Sequence, residues 1–162
     1  MKDWAELLRM AYEEGKNSHD TSTQNGALLV DDCLRVVLSD HNRFPNGVNQ
    51  DDDRWKRPAK YKYIEHAERN VIYRAAKDGI KTHGLTIVCP WAACTDCARA
   101  IIQSGIRKLV THRQAHNCSH GEWRQEIVLA FEMFEEAGVK VVMYDGLVGV
   151  SNVLQNGQLY NR

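Results

Sequence analysis

The chain has 162 residues, of which 43% are hydrophobic, and its 21 basic residues balance 21 acidic ones. This length and composition predict a single domain over residues 1–162, with one sizeable core. The balanced charge provides no global field to attract nucleic acid or an anionic membrane, so neither is an expected partner. No apolar run reaches the roughly 20 residues that span a bilayer, and the N-terminus lacks the apolar stretch of a secretory signal. We therefore expect a soluble, intracellular protein of the cytoplasm.

The N-terminal part of the chain predicts a helix, a hairpin and a long loop. Apolar residues recur at the helical period from Trp4 to Ala11, and Gly15 follows as a stop signal. Two aliphatic runs, at residues 26–30 and 34–38, predict a β-hairpin. Beyond them, turn-forming residues without a sustained period predict a long functional loop, which covers residues 40–60.

The rest of the chain alternates helices with strands. Helices are predicted at residues 65–76, 94–105 and 123–134. Strands are predicted at residues 85–88, 108–111 and 139–143. Strands separated by helices of this length favour crossover connections and a sheet that is covered on both faces. The tail, residues 146–162, gives no clear pattern.

Three potential metal ligands lie at the starts of two predicted helices. His66 opens one helix, and Cys94 and Cys97 lie three residues apart in the first turn of the next. Cysteines at that spacing share a helix face, and a helix N-terminus stabilises their thiolates. One histidine and two cysteines are typical of a catalytic zinc, which keeps its fourth position for water.

Glu68 follows the histidine ligand by two residues and is the candidate catalytic group. Its side chain points away from the ligand direction but stays within reach of water at the metal, where a proton carrier is needed. A lone Cys-x-x-Cys is more often structural or redox-active, and a lone His-x-Glu carries little information. Together they match the general signature of zinc deaminases.

Four longer stretches resemble the cytidine and deoxycytidylate deaminase superfamily, and in particular its deoxycytidylate deaminase branch. They are residues 22–27, 42–48, 60–70 and 97–106, within a likeness that extends from about residue 22 to residue 145. The resemblance implies a three-layer α/β/α fold with a mixed sheet of about five strands. It also implies a Zn²⁺ cofactor, a nucleotide substrate, conversion of deoxycytidylate to deoxyuridylate, and self-association into a homo-oligomer.

The resemblance also assigns roles to individual positions. Asn42 would hold the sugar, the backbone amide of Ala67 would meet the base carbonyl, and zinc-activated water would attack C4 of the ring. Arg43, beside the sugar contact, is a candidate phosphate ligand. Further phosphate candidates form a basic cluster after an acidic run: Arg54, Lys56, Arg57, Lys60 and Lys62. Trp91 is a candidate aromatic wall for the base, although a core role is equally compatible with its position.

The sequence departs from the family pattern at two places. The family usually has proline directly before its first cysteine ligand, whereas Ala93 stands here and the nearest proline is Pro90. The branch often carries glycines around the sugar-binding asparagine, in a segment associated with triphosphate regulation. Here that segment reads Ser-Asp-His-Asn-Arg over residues 39–43, which is why regulation by triphosphates is not expected.

The remaining cysteines and histidines favour structural roles. His112, His116, Cys118 and His120 precede the last long helix, but no carboxylate accompanies them, so a second metal site is not expected. Cys33 and Cys89 are interpreted as small buried hydrophobic residues at strand positions.

Two other functions remain open from the sequence. Deaminases of free nucleosides, purine bases or tRNA share the zinc core, although tRNA usually demands a strongly basic face. A zinc-stabilised domain without turnover is the alternative outside the enzymes. Glu68 distinguishes it, because a structural zinc does not need a carboxylate beside an open coordination position.

Overall fold

A computed structural model describes residues 3–119 and 121–162. The helices are α1 (Trp4–Gly15), α2 (Asp52–Trp55), α3 (Lys60–Tyr63), α4 (Ala67–Lys77), α5 (Thr95–Gln103), α6 (Arg113–His116) and α7 (Glu122–Glu136). The strands are β1 (Gly26–Val30), β2 (Val36–His41), β3 (Thr86–Val88), β4 (Lys108–His112), β5 (Lys140–Tyr144), β6 (Val153–Gln155) and β7 (Gln158–Tyr160). None of the described helices is both long enough and apolar enough to cross a membrane.

Five strands form one mixed sheet in the order β2-β1-β3-β4-β5. The β1 strand is antiparallel to both β2 and β3, whereas β3, β4 and β5 run parallel. The parallel pairs require crossover helices, and α5 and α7 provide them. The predicted mixed, five-stranded α/β sheet is therefore confirmed.

The alternation of side chains along the strands divides the core into two layers. In β1, Ala27 and Leu29 face the layer that packs against α4, α5 and α7, whereas Leu28 and Val30 face the layer beneath α1. Valines of the C-terminal segment complete the second layer. Helical cover on both faces gives the expected three-layer arrangement.

The end of α1 packs unusually closely on the start of β1, and glycine permits this. A Cβ atom built on Gly26 would lie 2.2 Å from the carbonyl oxygen of Ala11, so a larger residue would separate the helix from the strand. This contact fixes the segment between α1 and β1, residues 16–25, against the sheet. That segment forms one wall of the candidate site.

Three sequence-based predictions of local structure need correction. The second hairpin strand begins at Val36 and runs to His41, because Leu34 adopts a left-handed conformation (φ 59°) that belongs to the turn. The predicted long loop, residues 40–60, contains α2, and α3 begins at its last residue; the single turns of these helices are too short to produce a helical period. Cys33 is exposed in the hairpin turn, where no neighbouring layer covers it, rather than buried in a strand.

Candidate zinc centre

The three predicted metal ligands meet at the N-terminal ends of α4 and α5. His66 and Cys94 are the residues that cap these helices, and Cys97 lies one turn into α5. The donor atoms of all three lie within 4.8 Å of one another. The Nδ1 atom of His66 is 3.6 Å from the Cys94 Sγ and 3.5 Å from the Cys97 Sγ.

These distances fit a tetrahedral zinc ion. Zinc–sulfur bonds of about 2.3 Å and zinc–nitrogen bonds of about 2.0–2.1 Å, at a tetrahedral angle, place nitrogen and sulfur about 3.5 Å apart. Both thiols are buried, with Cys97 fully inaccessible and Cys94 8% exposed. Three protein donors leave one tetrahedral position for a ligand from solution, as catalytic zinc sites require.

The electrostatics of the two thiols also suit a divalent cation. A hydrogen bond from Cys97, assisted by His66, lowers the pKa of Cys94 to about 3, so this side chain is a thiolate at neutral pH. Burial raises the pKa of Cys97. Arg69 lies against the pair, with its Nη1 atom 3.5 Å from the Cys97 Sγ and its Nε atom bonded to Glu65. The sequence interpretation gave this arginine no role.

Glu68 lies in the first turn of α4 and is only 2% exposed. Its Oε2 atom has no hydrogen-bond partner among the described residues, which is unusual for a buried carboxylate oxygen. Burial raises the pKa of Glu68, although the nearby His66 opposes this shift. A buried carboxylate with one unpaired oxygen, beside three potential zinc donors, fits a proton carrier for a water molecule at the metal.

The loop before Cys94 lacks the proline that the family usually has there, but a contact from α7 fixes the start of α5. Glu126 of α7 accepts a hydrogen bond at Oε2 from the backbone amide of Thr95 at 3.3 Å, and the Thr95 hydroxyl donates to the same oxygen. A carboxylate at a helix N-terminus satisfies amides that have no partner within the helix. The contact from α7 therefore anchors the start of α5.

A cleft opens from the metal ligands toward residues 20–25 and the C-terminal hairpin. The residues that line it are Asp20, Thr23, Asn25, Asn42, Arg57, Lys60, Tyr61, Ile64, His66, Ala67, Glu68, Trp91, Ala92, Cys94, Trp123 and Asn156. The structure thus brings Asn42, Ala67 and Trp91 together with the metal ligands and Glu68. It does not bring Arg43, whose guanidinium binds both carboxylate oxygens of Asp40 at 3.0 and 3.1 Å.

The Asn42 side chain is largely committed to contacts within the protein. Its Oδ1 atom accepts from the backbone amide of Asn25 at 2.8 Å, and its Nδ2 atom donates to the Thr23 carbonyl at 2.8 Å. A second, longer bond of 3.3 Å joins Nδ2 to the Asp20 carboxylate. One Oδ1 lone pair is left for a ligand, which is the acceptor that a sugar hydroxyl needs.

Two tryptophans, Trp91 and Trp123, line the cleft. Trp91 lines the cleft while its Nε1 atom donates to the Ser119 hydroxyl at 2.8 Å. Trp123, predicted as part of the apolar face of a helix, is 40% exposed, and its ring centroid lies 5.7 Å from that of His66. The helical spacing of apolar residues includes Trp123, but this spacing alone cannot show that the Trp123 side chain lies outside the core.

The histidines before α7 contact groups other than a shared metal. His112 is buried and bonded to Tyr12 and to the Gly146 carbonyl, whereas His116 stacks on Phe131. Cys118 accepts a contact from Arg162. His120, which belongs to the same sequence cluster, lies outside the described residues. Cys89 is buried as expected, and its sulfur accepts from Nδ2 of Asn25, a residue that lines the cleft, at 3.2 Å.

Comparison with known proteins decides the family. Residues 1–113 match the family described as the cytidine and deoxycytidylate deaminase zinc-binding region. The chain belongs to this family. An uncharacterized deaminase in the luxG 3′ region of Aliivibrio fischeri is 35% identical over 139 residues, which cover 85% of this chain and 91% of that protein. Human deoxycytidylate deaminase is 30% identical over 144 residues, which cover 85% of this chain and 77% of the human protein.

A solved structure supports the fold. The dCMP deaminase of the cyanophage S-TIM5, in complex with dCMP and dUMP, superimposes with a TM-score of 0.64 at 22% identity. The match covers 85% of this chain and 93% of the phage chain. The cytidine-deaminase-like fold expected from the sequence is thus confirmed, and so is membership of a zinc-binding deaminase family. The group formed by His66, Cys94 and Cys97 could hold a metal ion.

Proposed function

We propose that this protein catalyses the hydrolytic deamination of dCMP to dUMP and ammonia. The observation that carries the proposal is the buried Glu68 carboxylate, whose Oε2 atom has no partner among the described residues, beside the cluster of His66, Cys94 and Cys97. A zinc ion in a non-catalytic domain has no use for such a carboxylate. The choice of substrate is supported by the relatives named deoxycytidylate deaminase, which include the human and mouse enzymes.

The side chains of the cleft have distinct tasks in this reaction. His66, Cys94 and Cys97 hold the zinc, which supplies Lewis-acid activation of water near neutral pH. Glu68 accepts a proton from the attacking water, delivers it to N3 of the base, and carries the second proton to the departing amino group. Burial raises the pKa of Glu68, which favours uptake of the proton from water.

The remaining contacts orient the nucleotide. The Ala67 amide, at the first turn of α4, meets the base carbonyl, because the first amides of a helix have no partner within it. Asn42 accepts from the sugar hydroxyl through its remaining lone pair. Trp91 covers the base from the side of the cleft formed by the loop after β3.

The structure narrows the choice of phosphate ligand. Among the five candidates of the basic cluster, only Arg57 and Lys60 line the cleft. The Lys60 ammonium is buried and lies 2.5 Å from the Asp20 carboxylate, which neutralises it. Arg57 is exposed, has no carboxylate partner among the described residues, and donates to the Ser22 hydroxyl at 3.0 Å. We therefore assign the phosphate contact to Arg57.

The test is ammonia release from a panel of cytosine, adenine and guanine bases, nucleosides and nucleotides, measured with the zinc-loaded protein. We expect the highest kcat/KM on dCMP, and a loss of about tenfold or more on deoxycytidine, because the ion pair with the phosphate is missing. Equal efficiency on the two substrates, or a preference for a purine, would contradict the proposed substrate. Self-association and a cytoplasmic location stay predictions.

A further inference from the structure

The C-terminal hairpin forms part of the cleft, although it lies beyond the residues that match the family. Strands β6 and β7 are joined by a two-residue turn, Asn156-Gly157, in which both residues have positive φ, 53° and 75°. This is the turn geometry that two-residue hairpins favour. It places the Asn156 side chain at the tip of the hairpin, where it lines the cleft.

The hairpin tip is fixed to two separate parts of the cleft. The Asn156 amide donates to the Thr23 hydroxyl at 3.1 Å, and the Gly157 amide donates to the Ser22 carbonyl at 2.7 Å. The Asn156 Nδ2 atom donates to the Cys118 carbonyl at 3.1 Å. Cys118 precedes Ser119, which holds Trp91. The tip therefore connects the segment that bonds Asn42 with the segment that supports the aromatic wall.

Buried contacts keep the hairpin in this position. Gln155 is 2% exposed, and its Nε2 atom donates to the Ala115 carbonyl at 3.0 Å. Its Oε1 atom accepts from Arg162 at 2.8 Å, and the backbone of Arg162 pairs with Val150. A tip held through Gln155 of β6 and through the terminal Arg162 keeps the Asn156 carboxamide in one place, as a binding group requires.

The neighbours of Asn156 lie at the sugar–phosphate end of the cleft. Thr23, which bonds the Asn156 amide, offers its carbonyl to the sugar-binding residue Asn42. Ser22, which bonds Gly157, offers its hydroxyl to Arg57. The Oδ1 atom of Asn156 and one of its Nδ2 hydrogens have no partner among the described residues. They are free to bind a hydroxyl and a phosphate oxygen respectively.

We propose that Asn156 is a specificity residue, which binds the sugar–phosphate part of the nucleotide from the C-terminal hairpin. The inference rests on the proposed function, because it assumes a nucleotide in the cleft. It extends the substrate site to a segment that the family match does not contain. Asparagine is also a preferred residue for this turn, so the test must separate the carboxamide from the turn.

Two substitutions separate these roles in the zinc-loaded protein. Asn156→Gly removes the carboxamide but tolerates positive φ, and Asn156→Asp keeps a residue suited to the turn while it brings a negative charge toward the phosphate. We expect Asn156→Asp to raise KM for dCMP by about tenfold or more, and Asn156→Gly to raise it by a few-fold, since bonds to charged groups contribute most. Efficiency on deoxycytidine should change less than threefold in Asn156→Asp, which still offers an oxygen to the sugar hydroxyl, and should fall by no more than a few-fold in Asn156→Gly.

Asn152→Asp is the matched control, because Asn152 is exposed, has a similar positive φ of 57° and does not line the cleft. It should leave both substrates within twofold of wild type. Calorimetry gives a second readout without turnover: Asn156→Asp should weaken dUMP binding about tenfold and leave deoxyuridine binding unchanged.

Unchanged KM and dUMP binding in Asn156→Asp, or equal losses for nucleotide and nucleoside, would overturn the inference. Absence of dCMP deamination in the wild-type protein would instead overturn the proposed function, so the two failures are distinguishable.

Discussion

Two histidines, the buried His112 and the half-buried His66, lie in opposite layers beside the sheet and differ in how their hydrogen-bonding groups are paired. His112, at the end of β4, accepts or donates one bond with the Tyr12 hydroxyl and one with the Gly146 carbonyl, each 2.8 Å long. His66 has only two thiol sulfurs as bonding partners among the described residues, and a carboxylate oxygen beside this cluster has none.

The difference shows how to separate a structural polar cluster from a binding site. Buried polar groups in proteins are nearly always paired, because an unpaired group costs about 1–3 kcal/mol. In the His112 cluster both ring nitrogens have hydrogen-bond partners within the protein, so no ligand is needed. The Glu68 oxygen beside the His66 cluster has no partner from the fold, which fits a site that binds a cation and a water or substrate. Substitutions in the His66 cluster should therefore abolish activity, whereas a substitution in the His112 cluster should lower stability without altering the chemistry.

The largest expected effect is the loss of turnover in Glu68→Gln and Glu68→Ala. Removal of a general acid–base group costs about a hundredfold to ten-thousandfold in rate, and Glu68 serves two steps, so the loss in kcat should be about ten-thousandfold or more. Zinc content, measured by atomic absorption, should stay at the wild-type value. Turnover near wild type would refute the assigned mechanism, and loss of zinc would make Glu68 a ligand.

Cys97→Ala should lose zinc and, with it, both activity and stability. Zinc that binds only the folded chain stabilises it by about 4 kcal/mol at a free concentration a thousandfold above Kd, and a missing thiolate removes most of this. Thermal unfolding with and without zinc measures the effect. Cys33→Ala is the control, because that thiol is exposed and far from the cluster, and it should keep the zinc-dependent shift in Tm.

Tyr12→Phe should reduce stability without altering the chemistry. The substitution leaves one buried nitrogen of His112 without its partner, at a cost of about 1–3 kcal/mol in the free energy of unfolding. Urea denaturation measures this cost, and kcat/KM per folded molecule should equal that of wild type. A selective loss of dCMP deamination in a fully folded variant would show that the two clusters are not independent.

The smallest effect is a pH dependence of stability from His112. Burial lowers the pKa of this histidine, so the neutral ring is favoured in the folded state. Its contribution to stability is complete above the unfolded pKa of about 6.5 and is lost as the pH falls through the lower folded pKa. The imidazole signal of His112 in NMR should titrate below the unfolded value of about 6.5. Titration of His112 at or above that value would contradict this account.

Local sequence patterns predicted much of the fold and the core of the site. The period of α1, the aliphatic run of β1 and the spacing of Cys94 and Cys97 are properties of short segments, which a sequence displays directly. The hairpin of β1 and β2 was misplaced because the left-handed Leu34 extends the turn. Nothing in the residue type of Leu34 indicates that conformation.

The residues that the sequence did not reveal depend on contacts between distant segments. Trp123 lies beside His66, and Asn156 beside Thr23, only because α7 and the C-terminal hairpin fold back on the cleft. One local signal was present: Asn156-Gly157 is a dipeptide that favours a tight hairpin turn. It predicts the hairpin but not the surface on which the hairpin packs. Likewise, Arg43 adjoins Asn42 in sequence, yet its ion pair with Asp40 keeps it out of the cleft.

The central claim is that the His66 cluster is a catalytic zinc centre. Its most direct test is to remove the metal from the protein with a chelator and then titrate zinc back. Deamination of dCMP should be absent at first, rise linearly with added zinc, and stop rising at one equivalent per chain, because one set of ligands was found among the described residues. Activity that survives chelation would contradict the claim. A break at two equivalents, with the second lost in His116→Ala, would contradict it equally.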